Sequence, residues 1–221
     1  MLKPERIAFY SYAHLPSSFP AQKSFEAYLP KEKEKRLLYE FGKNRLIQMG
    51  YEEIGMDHFA LPDDPLCLAK KEGKLHRNFM GYTTQNTKML LGLGASSISD
   101  VWLGYAQNEK SVEGYQRSIQ DGTLPLIKGH ENSQEDLEVR QLILELICQG
   151  KAAIPFDIWE KLPLQNLENL HEMENEGLLQ SNQLSLKVTD EGMAIVRNVC
   201  SQFDLRMIAN AELKASFSQA I

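Results

Sequence analysis

Four side chains of this sequence are candidate ligands for a carboxylate: His14, His58, His76 and Arg77. His14 and His58 each follow a segment typical of a β-strand and precede a loop that contains proline. His76 and Arg77 stand with Lys74 in a polar stretch, and a guanidinium group matches a carboxylate with two parallel hydrogen bonds. The pattern predicts a surface that binds carboxylates. A histidine at a strand end, or a basic loop in solvent, would present the same residues without a ligand.

A metal site is the weaker interpretation of the same region. The residues that could form one, at irregular spacing, are His14, Asp57, His58, Cys67 and His76. The three cysteines, Cys67, Cys148 and Cys200, are 81 and 52 residues apart, which fits neither a disulfide set nor a clustered ligand set. We therefore expect reduced, mostly buried thiols and no metal.

Two strands and a helix must position these side chains. Residues 6–13 are β-branched, aromatic and small, which predicts a buried strand, and residues 54–57 predict a second one. Residues 31–49 predict a helix between them, with an apolar stripe. This order predicts a right-handed βαβ unit with parallel strands. His14 and His58 would then share the rim formed by the carboxyl ends of the strands, where ligands commonly bind.

The chain after this rim adds short elements. Residues 65–71 predict a helix that Gly73 ends, and residues 111–119 predict another. Gly92 and Gly94 precede small hydroxyl residues, so that a ligand could approach the backbone and successive amides could bind an anion. The segment lacks the third glycine of a dinucleotide fingerprint and the lysine of a phosphate loop, which argues against both.

The charge divides the chain into two modules. The net charge of −6 is the sum of +2 in residues 1–129 (17 Lys+Arg, 15 Asp+Glu) and −8 in residues 130–221 (7 Lys+Arg, 15 Asp+Glu). The first module can present cations to an anionic small molecule, whereas the second should repel polyanions. The sequence also lacks a long apolar run and the apolar core of a signal peptide, so we expect a cytoplasmic protein without a membrane span.

The second module predicts helices, a small hairpin and a further helix, which is a winged-helix-like order. Its predicted helices cover residues 134–149, 155–162, 163–176 and 190–203, the last capped by Thr189 and followed by a polar tail helix. Residues 162–180, where a recognition helix would lie, contain no lysine or arginine and four glutamates. Because affinity for nucleic acid comes largely from neutralising phosphates, we expect no nucleic-acid partner.

Five strings of this sequence carry a family resemblance: FYSYAHLP, GYEEIGMDHFALPDD, GKLHRNFMGYTTQ, LLGLGASSIS and YAQN. In order and spacing they resemble the C-terminal half of oxygen-independent coproporphyrinogen III oxidases, radical S-adenosylmethionine enzymes of haem synthesis. The resemblance extends from about residue 6 to the end of the chain. The related haem-chaperone branch shows an SNFA-type motif and an HN-x-x-YW motif instead, so residues 56–58 and 77–82 favour the oxidases.

The resemblance implies an α/β plus α fold. Residues 1–129 would be the last strands and helices of a partial (β/α) barrel with its linker, and residues 130–221 a mainly helical, winged-helix-like domain with a small hairpin. It also implies the cofactors S-adenosylmethionine and a [4Fe–4S] cluster, which together generate a radical that starts the oxidative decarboxylation of coproporphyrinogen III to protoporphyrinogen IX. In that family S-adenosylmethionine is also contacted at positions that correspond to Ala13 and Ile98. The four carboxylates of coproporphyrinogen III would suit His14, His58, His76 and Arg77.

One departure from the family pattern changes the expected activity. The C-x-x-x-C-x-x-C motif that holds the cluster is absent, and three scattered cysteines cannot replace it. We therefore expect a C-terminal fragment that is inactive alone and whose partner is the missing N-terminal radical core. Two alternatives remain open at this point: a module that binds porphyrinogens or S-adenosylmethionine without turnover, and a structural remnant without a ligand.

Overall fold

The structure, a computed structural model, describes residues 3–182 and 184–210. The α-helices are α1 (Glu32–Gln48), α2 (Pro65–Lys71), α3 (Val112–Gln120), α4 (Gln134–Gln149), α5 (Phe156–Glu160), α6 (Leu164–Asn175), α7 (Val196–Ser201) and α8 (Leu205–Ala209), and 3-10 helices span Pro20–Tyr28 and Gly192–Ile195. The strands are β1 (Arg6–Ala8), β2 (Glu52–Gly55), β3 (His58–Ala60), β4 (His76–Asn78), β5 (Gly81–Thr83), β6 (Ile98–Asp100), β7 (Gly104–Asn108), β8 (Leu126–Glu131), β9 (Lys151–Ala153), β10 (Leu179–Asn182) and β11 (Ser185–Val188). Across the described residues, none of these helices combines the length and the apolar character that crossing a membrane requires.

The first sheet corrects the predicted βαβ unit. β3 lies between β1 and β2 and is antiparallel to both, so that Ile7 and Glu53 both stand opposite Phe59. β1 and β2 therefore point the same way, as predicted, but β3 lies between them, so they do not pair with each other. The cause is a reversal at Met56 and Asp57, whose φ values of 41° and 71° turn the chain back directly after β2.

The first strand is shorter and more exposed than the sequence predicts. β1 ends at Ala8, and Arg6 and Ala8 are exposed, so the prediction of a buried strand over residues 6–13 was wrong. β1 is an edge strand of its sheet, with β3 as its neighbour on one side. The chain continues along the same direction for one more backbone bond, from Phe9 N to Asp57 O at 2.8 Å.

Helix α1 forms where predicted, but its apolar stripe faces outward. Leu37, Leu38 and Phe41 are 70%, 60% and 73% exposed. The side of the helix toward the sheet is held by Tyr39, whose ring stacks on Phe9 at a centroid distance of 5.7 Å. Contiguous apolar surface of this kind is typical of a site that another polypeptide covers.

The other predicted helices of the chain are confirmed as far as residue 175 and begin and end at the expected signals. Asp64 accepts a hydrogen bond from Leu66 N at 2.8 Å and so caps α2. Ser133 and Asp136 form the capping box of α4, because each side chain accepts from the backbone N–H of the other. Gly150 ends α4 in the left-handed conformation, with φ 65°.

A hairpin replaces the basic loop that the sequence predicts around His76 and Arg77. β4 and β5 pair antiparallel, with Arg77 opposite Tyr82, and the connection turns where Asn78 Oδ1 accepts from Met80 N at 2.9 Å. The prediction of a loop was wrong for Asn78 and Gly81. They are instead the turn of a hairpin, with Gly81 at φ 122°.

A three-stranded sheet occupies the region in which the sequence signals were weak. β7 pairs with β6 on one side and with β8 on the other, and all three strands are antiparallel. The helix predicted over residues 111–119 is present as α3, which follows β7 and precedes β8 in the chain. β8 runs across the domain boundary predicted between residues 129 and 130, and that boundary stays a prediction.

The C-terminal part packs helices on a three-stranded sheet of order β10-β11-β9. Its core contains residues from α4, the sheet and α7, including the fully buried Leu146, Leu186 and Val199. Thr189 Oγ1 accepts from Gly192 N at 3.1 Å, so the predicted cap is present. The chain then forms a 3-10 turn before α7 rather than one helix over residues 190–203. The predicted tail helix falls largely in residues 211–221, outside the described range.

Several contacts join the N-terminal and C-terminal parts. Met56 and Ile147 pack against both hydrophobic cores of the described chain. Arg140 of α4 donates two hydrogen bonds to Asp100 of β6, at 3.0 and 2.6 Å, and lies over the ring of Trp102 at 4.3 Å. Both charged side chains are largely buried, at 13% and 10% exposed, so this ion pair belongs to the interior.

Candidate functional site

His58 lies at the start of β3, just after the left-handed reversal, rather than on a loop that leaves a strand. Its Nδ1 is 2.9 Å from Met56 O, and because a carbonyl oxygen only accepts, Nδ1 carries the proton. Nε2 of the neutral ring then accepts from the hydroxyl of Tyr10 at 3.3 Å. The ring also packs edge-to-face with Tyr82, at a centroid distance of 5.4 Å.

Arg77 reaches the other side of Tyr82. Its guanidinium carbon lies 4.7 Å from the centre of the Tyr82 ring, a cation–π contact. Tyr82 is itself buried, and its hydroxyl donates to Ile147 O at 3.4 Å. Burial raises the pKa of Tyr82 well above its ordinary value, although the charge of Arg77 opposes the shift. Arg77 Nη1 is buried and has no hydrogen-bond partner among the described residues.

The structure thus brings two of the four predicted anion-binding residues together. His58 and Arg77 both contact Tyr82, from different elements of the chain. From the sequence, Tyr82 was expected only as a polar neighbour of Arg77, and Tyr10 was missed. Both tyrosines lie in strings that carry the family resemblance, Tyr10 in FYSYAHLP and Tyr82 in GKLHRNFMGYTTQ, and this could have identified them.

His76 is placed elsewhere, although it is the sequence neighbour of Arg77. Successive residues of a strand point to opposite faces, so His76 faces the Arg140–Asp100 pair while Arg77 faces Tyr82. The pKa of His76 is lowered, first by burial and then by the positive charge of Arg140. A histidine with a lowered pKa is a poor cation at neutral pH.

His14 makes its own set of contacts near the N-terminus. Its Nε2 lies 3.2 Å from Glu26 Oε1, but neither ring nitrogen makes a well-directed hydrogen bond within the described residues. Its ring neighbour is Tyr12, at a centroid distance of 6.3 Å. The contacts of His14 are therefore separate from those of His58, and its role as a carboxylate ligand stays a prediction.

The two residues that the resemblance associates with S-adenosylmethionine lie on different elements. Ala13 is exposed in the segment before the first 3-10 helix, and its carbonyl accepts from Gln22 Nε2 at 3.2 Å. Ile98 is half-buried at the start of β6. Their assignment to a cofactor stays a prediction.

In the glycine segment before Ile98, the backbone amides of both glycines are occupied. Gly92 N donates to Ser99 Oγ at 3.0 Å, and Gly94 N donates to the Tyr115 hydroxyl at 3.2 Å. The side-chain amide of Asn108 donates to Gly92 O, Gly94 O and Ser97 Oγ, at 2.9 to 3.1 Å. A side chain at Gly92 would clash with the backbone of Ile98. The segment is a tightly bonded turn, and its amides do not form the open anion nest that the sequence suggests.

The three cysteines are free and buried, as predicted. Burial raises the pKa of the Cys148 thiol to about 11 and that of Cys200 to about 12. Cys67 and Cys148 belong to one hydrophobic core and Cys200 to the other. Among the described residues, no group of three or more His, Cys, Asp or Glu side chains could hold a metal ion. These thiols therefore do not fit a [4Fe–4S] cluster, which needs deprotonated cysteines that converge on one point.

The comparisons with known proteins agree on one kind of relative. No family model matches the chain. The oxygen-independent coproporphyrinogen III oxidase of Synechocystis sp. is 38% identical, in an alignment that covers 100% of this chain and 49% of that protein. The corresponding protein of Escherichia coli K12 is 36% identical over 100% of this chain and 50% of its own length. That of Thermostichus vulcanus is 37% identical, and this chain covers 70% of it.

The fold comparison agrees with the sequence comparison. The solved structure of coproporphyrinogen III oxidase from Escherichia coli, described as a radical SAM enzyme, superposes with a TM-score of 0.83 and 36% identity. The superposition covers 92% of this chain and 49% of that protein. This chain thus has the same mixed α/β fold, with small sheets and several helices, and spans about half the length of the first curated relatives that it matches.

Proposed function

Because this chain belongs to the oxygen-independent coproporphyrinogen III oxidase family, we propose that it forms the part of such an enzyme that binds the carboxylates of coproporphyrinogen III. The complete enzyme would carry out the oxidative decarboxylation of that substrate to protoporphyrinogen IX, in haem synthesis. The chain alone would be inactive, since its cysteines do not fit the cluster.

The observation that supports this proposal most directly is the state of Arg77. A buried guanidinium N–H without a partner is costly, by about 1–3 kcal/mol or more for a charged group. Nη1 of Arg77 is such a group among the described residues, while the ring of Tyr82 fixes the plane of the guanidinium. A carboxylate placed against Nη1 would supply both the acceptor and the missing negative charge. Arg77 is therefore the residue that we assign to a propionate carboxylate.

His58 would act beside Arg77 as a hydrogen-bonding group. In the neutral form its Nε2 accepts from the Tyr10 hydroxyl, so His58 holds Tyr10 in place while Tyr82 packs against the ring. A carboxylate near Arg77 could then accept from Tyr10 once that hydroxyl turns away from His58. His14 and His76 stay proposed as further carboxylate ligands, with the lowered pKa of His76 as the point against it.

The resident cofactors of the family would be shared between this chain and another region. We propose that S-adenosylmethionine, which supplies the radical chemistry when bound, meets this chain at Ala13 and Ile98. The cluster would be held by an N-terminal radical core carrying the three-cysteine motif, and no step of the radical reaction is assigned to residues of this chain. The outward stripe of α1, formed by Leu37, Leu38 and Phe41, is the surface that we propose packs on that core.

The finer description of the fold is part of the same proposal. We propose that residues 3–129 are the last part of a partial (β/α) barrel with its linker. The order α4, β9, α5, α6, β10, β11 would make residues 130–221 a winged-helix-like domain. The three free thiols are in keeping with a reducing, cytoplasmic location.

A titration with coproporphyrin III, a stable oxidised relative of the substrate, tests the carboxylate site. We expect a saturable change in porphyrin absorbance with the parent chain. Loss of one charge-assisted hydrogen bond in Arg77→Gln should weaken binding by roughly 10-fold or more. Arg117→Gln, an equal charge change on the exposed surface of α3, serves as the control and should bind like the parent.

Two results would contradict the assignment. Arg77→Gln could bind as tightly as the parent chain, which would remove Arg77 from the site. The parent chain could also give no saturable change even when the N-terminal half of a related oxidase is added, which would leave the structural remnant as the interpretation. Decarboxylation that appears only in the mixture of both parts would support the proposed division of the enzyme.

A further inference from the structure

A cavity of about 790 Å³, which neither Arg77 nor His58 lines, lies between the C-terminal sheet, helix α4 and the connection from α2 to β4. His76, at the end of that connection, also lines it. Its volume is within the range of about 300–1,000 Å³ that is usual for small-molecule sites. Several side-chain amides and hydroxyls line it, among them Gln141, Gln180, Asn182 and Ser185. This lining differs from the mainly apolar lining of most pockets and indicates a polar ligand.

One face of the three-stranded sheet forms the floor of this cavity. The register places Gln180, Lys187 and Lys151 opposite one another on β10, β11 and β9, so they form one row across the sheet. Their neighbours along the strands, Leu186 and Ala152, are buried in the core on the opposite face. The alternation of a strand therefore directs all three polar side chains of this row toward the cavity.

The row contains an uncompensated pair of like charges. Directly opposite residues of an antiparallel pair have Cβ atoms about 4.5–5.5 Å apart, and like charges at such positions are destabilising. Among the described residues, neither Lys151 nor Lys187 pairs with a carboxylate. Residues 130–221 contain only 7 lysines and arginines against 15 acidic residues, so this pairing is not a consequence of a generally basic surface.

The other charges around the cavity leave the lysine pair available. Glu145, the carboxylate of the lining, accepts from Gln141 Nε2 at 2.7 Å on the same helix. Lys74 also lines the cavity and pairs with Glu72 at 2.8 Å. The hydrogen bond from Gln141 leaves the charge of Glu145 in place, so Lys151 and Lys187 together leave the lining with an excess of one positive charge.

We propose that this cavity is a second ligand site of the protein, which binds a small phosphate-bearing molecule through Lys151 and Lys187. Two ammonium groups on neighbouring strands can contact different oxygens of one phosphoryl group, and lysine is a common phosphate ligand that acts as a point charge. No arginine lines the cavity, so the bidentate fork that suits a planar carboxylate is missing there. The amides beside the lysines would hydrogen-bond the polar remainder of the ligand. Bound phosphate would also relieve the repulsion between the two lysines.

A titration of the full chain with inorganic pyrophosphate at constant ionic strength, followed by amide chemical shifts in NMR spectra, tests this site. We expect saturable shifts confined to β9, β10, β11 and the adjoining part of α4. Lys151→Gln and Lys187→Gln should each weaken binding by roughly 10-fold, since each removes one charge-assisted contact. Lys128→Gln, an equal change on the exposed strand β8, should leave binding unchanged.

A stability measurement keeps the test independent of binding. Without phosphate, Lys187→Glu should raise the melting temperature, because the introduced carboxylate would pair with Lys151, and it should abolish the pyrophosphate shifts. Absence of saturable shifts up to about 10 mM pyrophosphate would overturn the proposal. So would equal weakening by Lys128→Gln, or binding of malonate as tight as that of pyrophosphate, which would show a site for anions in general.

Discussion

Replacing Asp100 by asparagine should separate the contribution of charge from that of shape at the ion pair between β6 and α4. Asp100 accepts two hydrogen bonds from Arg140, at 3.0 and 2.6 Å, and a third from Trp102 N at 3.0 Å. Asparagine is nearly isosteric and its carbonyl can keep the bond to Trp102 N, whose residue lies in the left-handed region with φ 64°. The change therefore removes the negative charge and leaves a largely buried guanidinium.

The magnitude follows from the number and kind of bonds. The asparagine NH2 group replaces the oxygen that accepts from Arg140 Nη2 and cannot accept, so that bond is lost and the bond from Nη1 is weakened. Hydrogen bonds to charged groups contribute about 1.5–3 kcal/mol and neutral ones about 0.5–1.5 kcal/mol, so the free energy of unfolding should fall by about 2–4 kcal/mol. Breaking one side of a buried pair costs a comparable amount, about 3–5 kcal/mol. The Lys71–Glu52 pair is a matched surface control, with side chains 55% and 39% exposed. Lys71→Gln should cost far less than Asp100→Asn, because solvent screens an exposed ion pair.

Urea unfolding followed by tryptophan fluorescence measures both effects, and Trp102 reports directly because Arg140 lies over its ring. The double change Asp100→Asn with Arg140→Met should cost less than the sum of the two single changes, since it leaves no buried cation. A loss for Asp100→Asn as small as that for Lys71→Gln would refute the reasoning. It would mean that water reaches the pair and screens it.

Two further predictions concern the buried thiols and the helix surface. Because burial raises the pKa of Cys148 to about 11, its protonated form favours the folded state, and this stability is complete below about pH 9 and lost as the pH rises toward 11. Cys148→Ala should therefore flatten the fall of unfolding free energy across that interval in pH-dependent urea titrations, and an unchanged slope would contradict it. Phe41→Glu, on the exposed stripe of α1, should reduce self-association of the isolated chain in sedimentation velocity runs. Ile127→Glu, on β8, is the control and should not reduce it. Equal effects of the two changes would show that self-association does not depend on the stripe.

The helices could be predicted from the sequence because their limits are local. Ser133 with Asp136 at the start of α4 and Gly150 at its end are interactions within a few residues, and the apolar spacing between them sets the buried face. The outward orientation of the α1 stripe could not be predicted in this way. Spacing shows that one face is apolar, but not whether the surface that covers it lies within the same chain.

Strand β3 was not predicted, because the turn that precedes it lacks the residues by which such turns are usually identified. Two-residue hairpin turns with positive φ usually contain Asn-Gly or Asp-Gly, and this one contains Met56-Asp57. The insertion of β3 followed from that turn, and with it the position of His58. The hairpin of β4 and β5 had the same effect on Arg77 and His76, which strand alternation sends to opposite faces.

The candidate site was accordingly only partly predictable. Residue chemistry identified His58 and Arg77 singly, and the shared contact with Tyr82 required the positions of β3 and β5. His14 belongs to a different set of contacts, with Glu26 and Tyr12. Which of these side chains contact one another depends on how short strands distant in sequence pair. The sequence of such short strands specifies their register only weakly.

The connection from β8 to α4 is short and is anchored to the neighbouring sheet. Only Asn132 and Ser133 separate them, and Asn132 is anchored by its backbone N–H to Leu103 O at 2.9 Å and by its side-chain amide to Trp102 O at 2.7 Å. Arg140, further along α4, is hydrogen-bonded to Asp100 of β6. The helix is therefore attached to the sheet β6–β7–β8 at two points. If the C-terminal part rotated, β6, the strand that begins at Ile98, would therefore move with it. The connection would not act as a hinge.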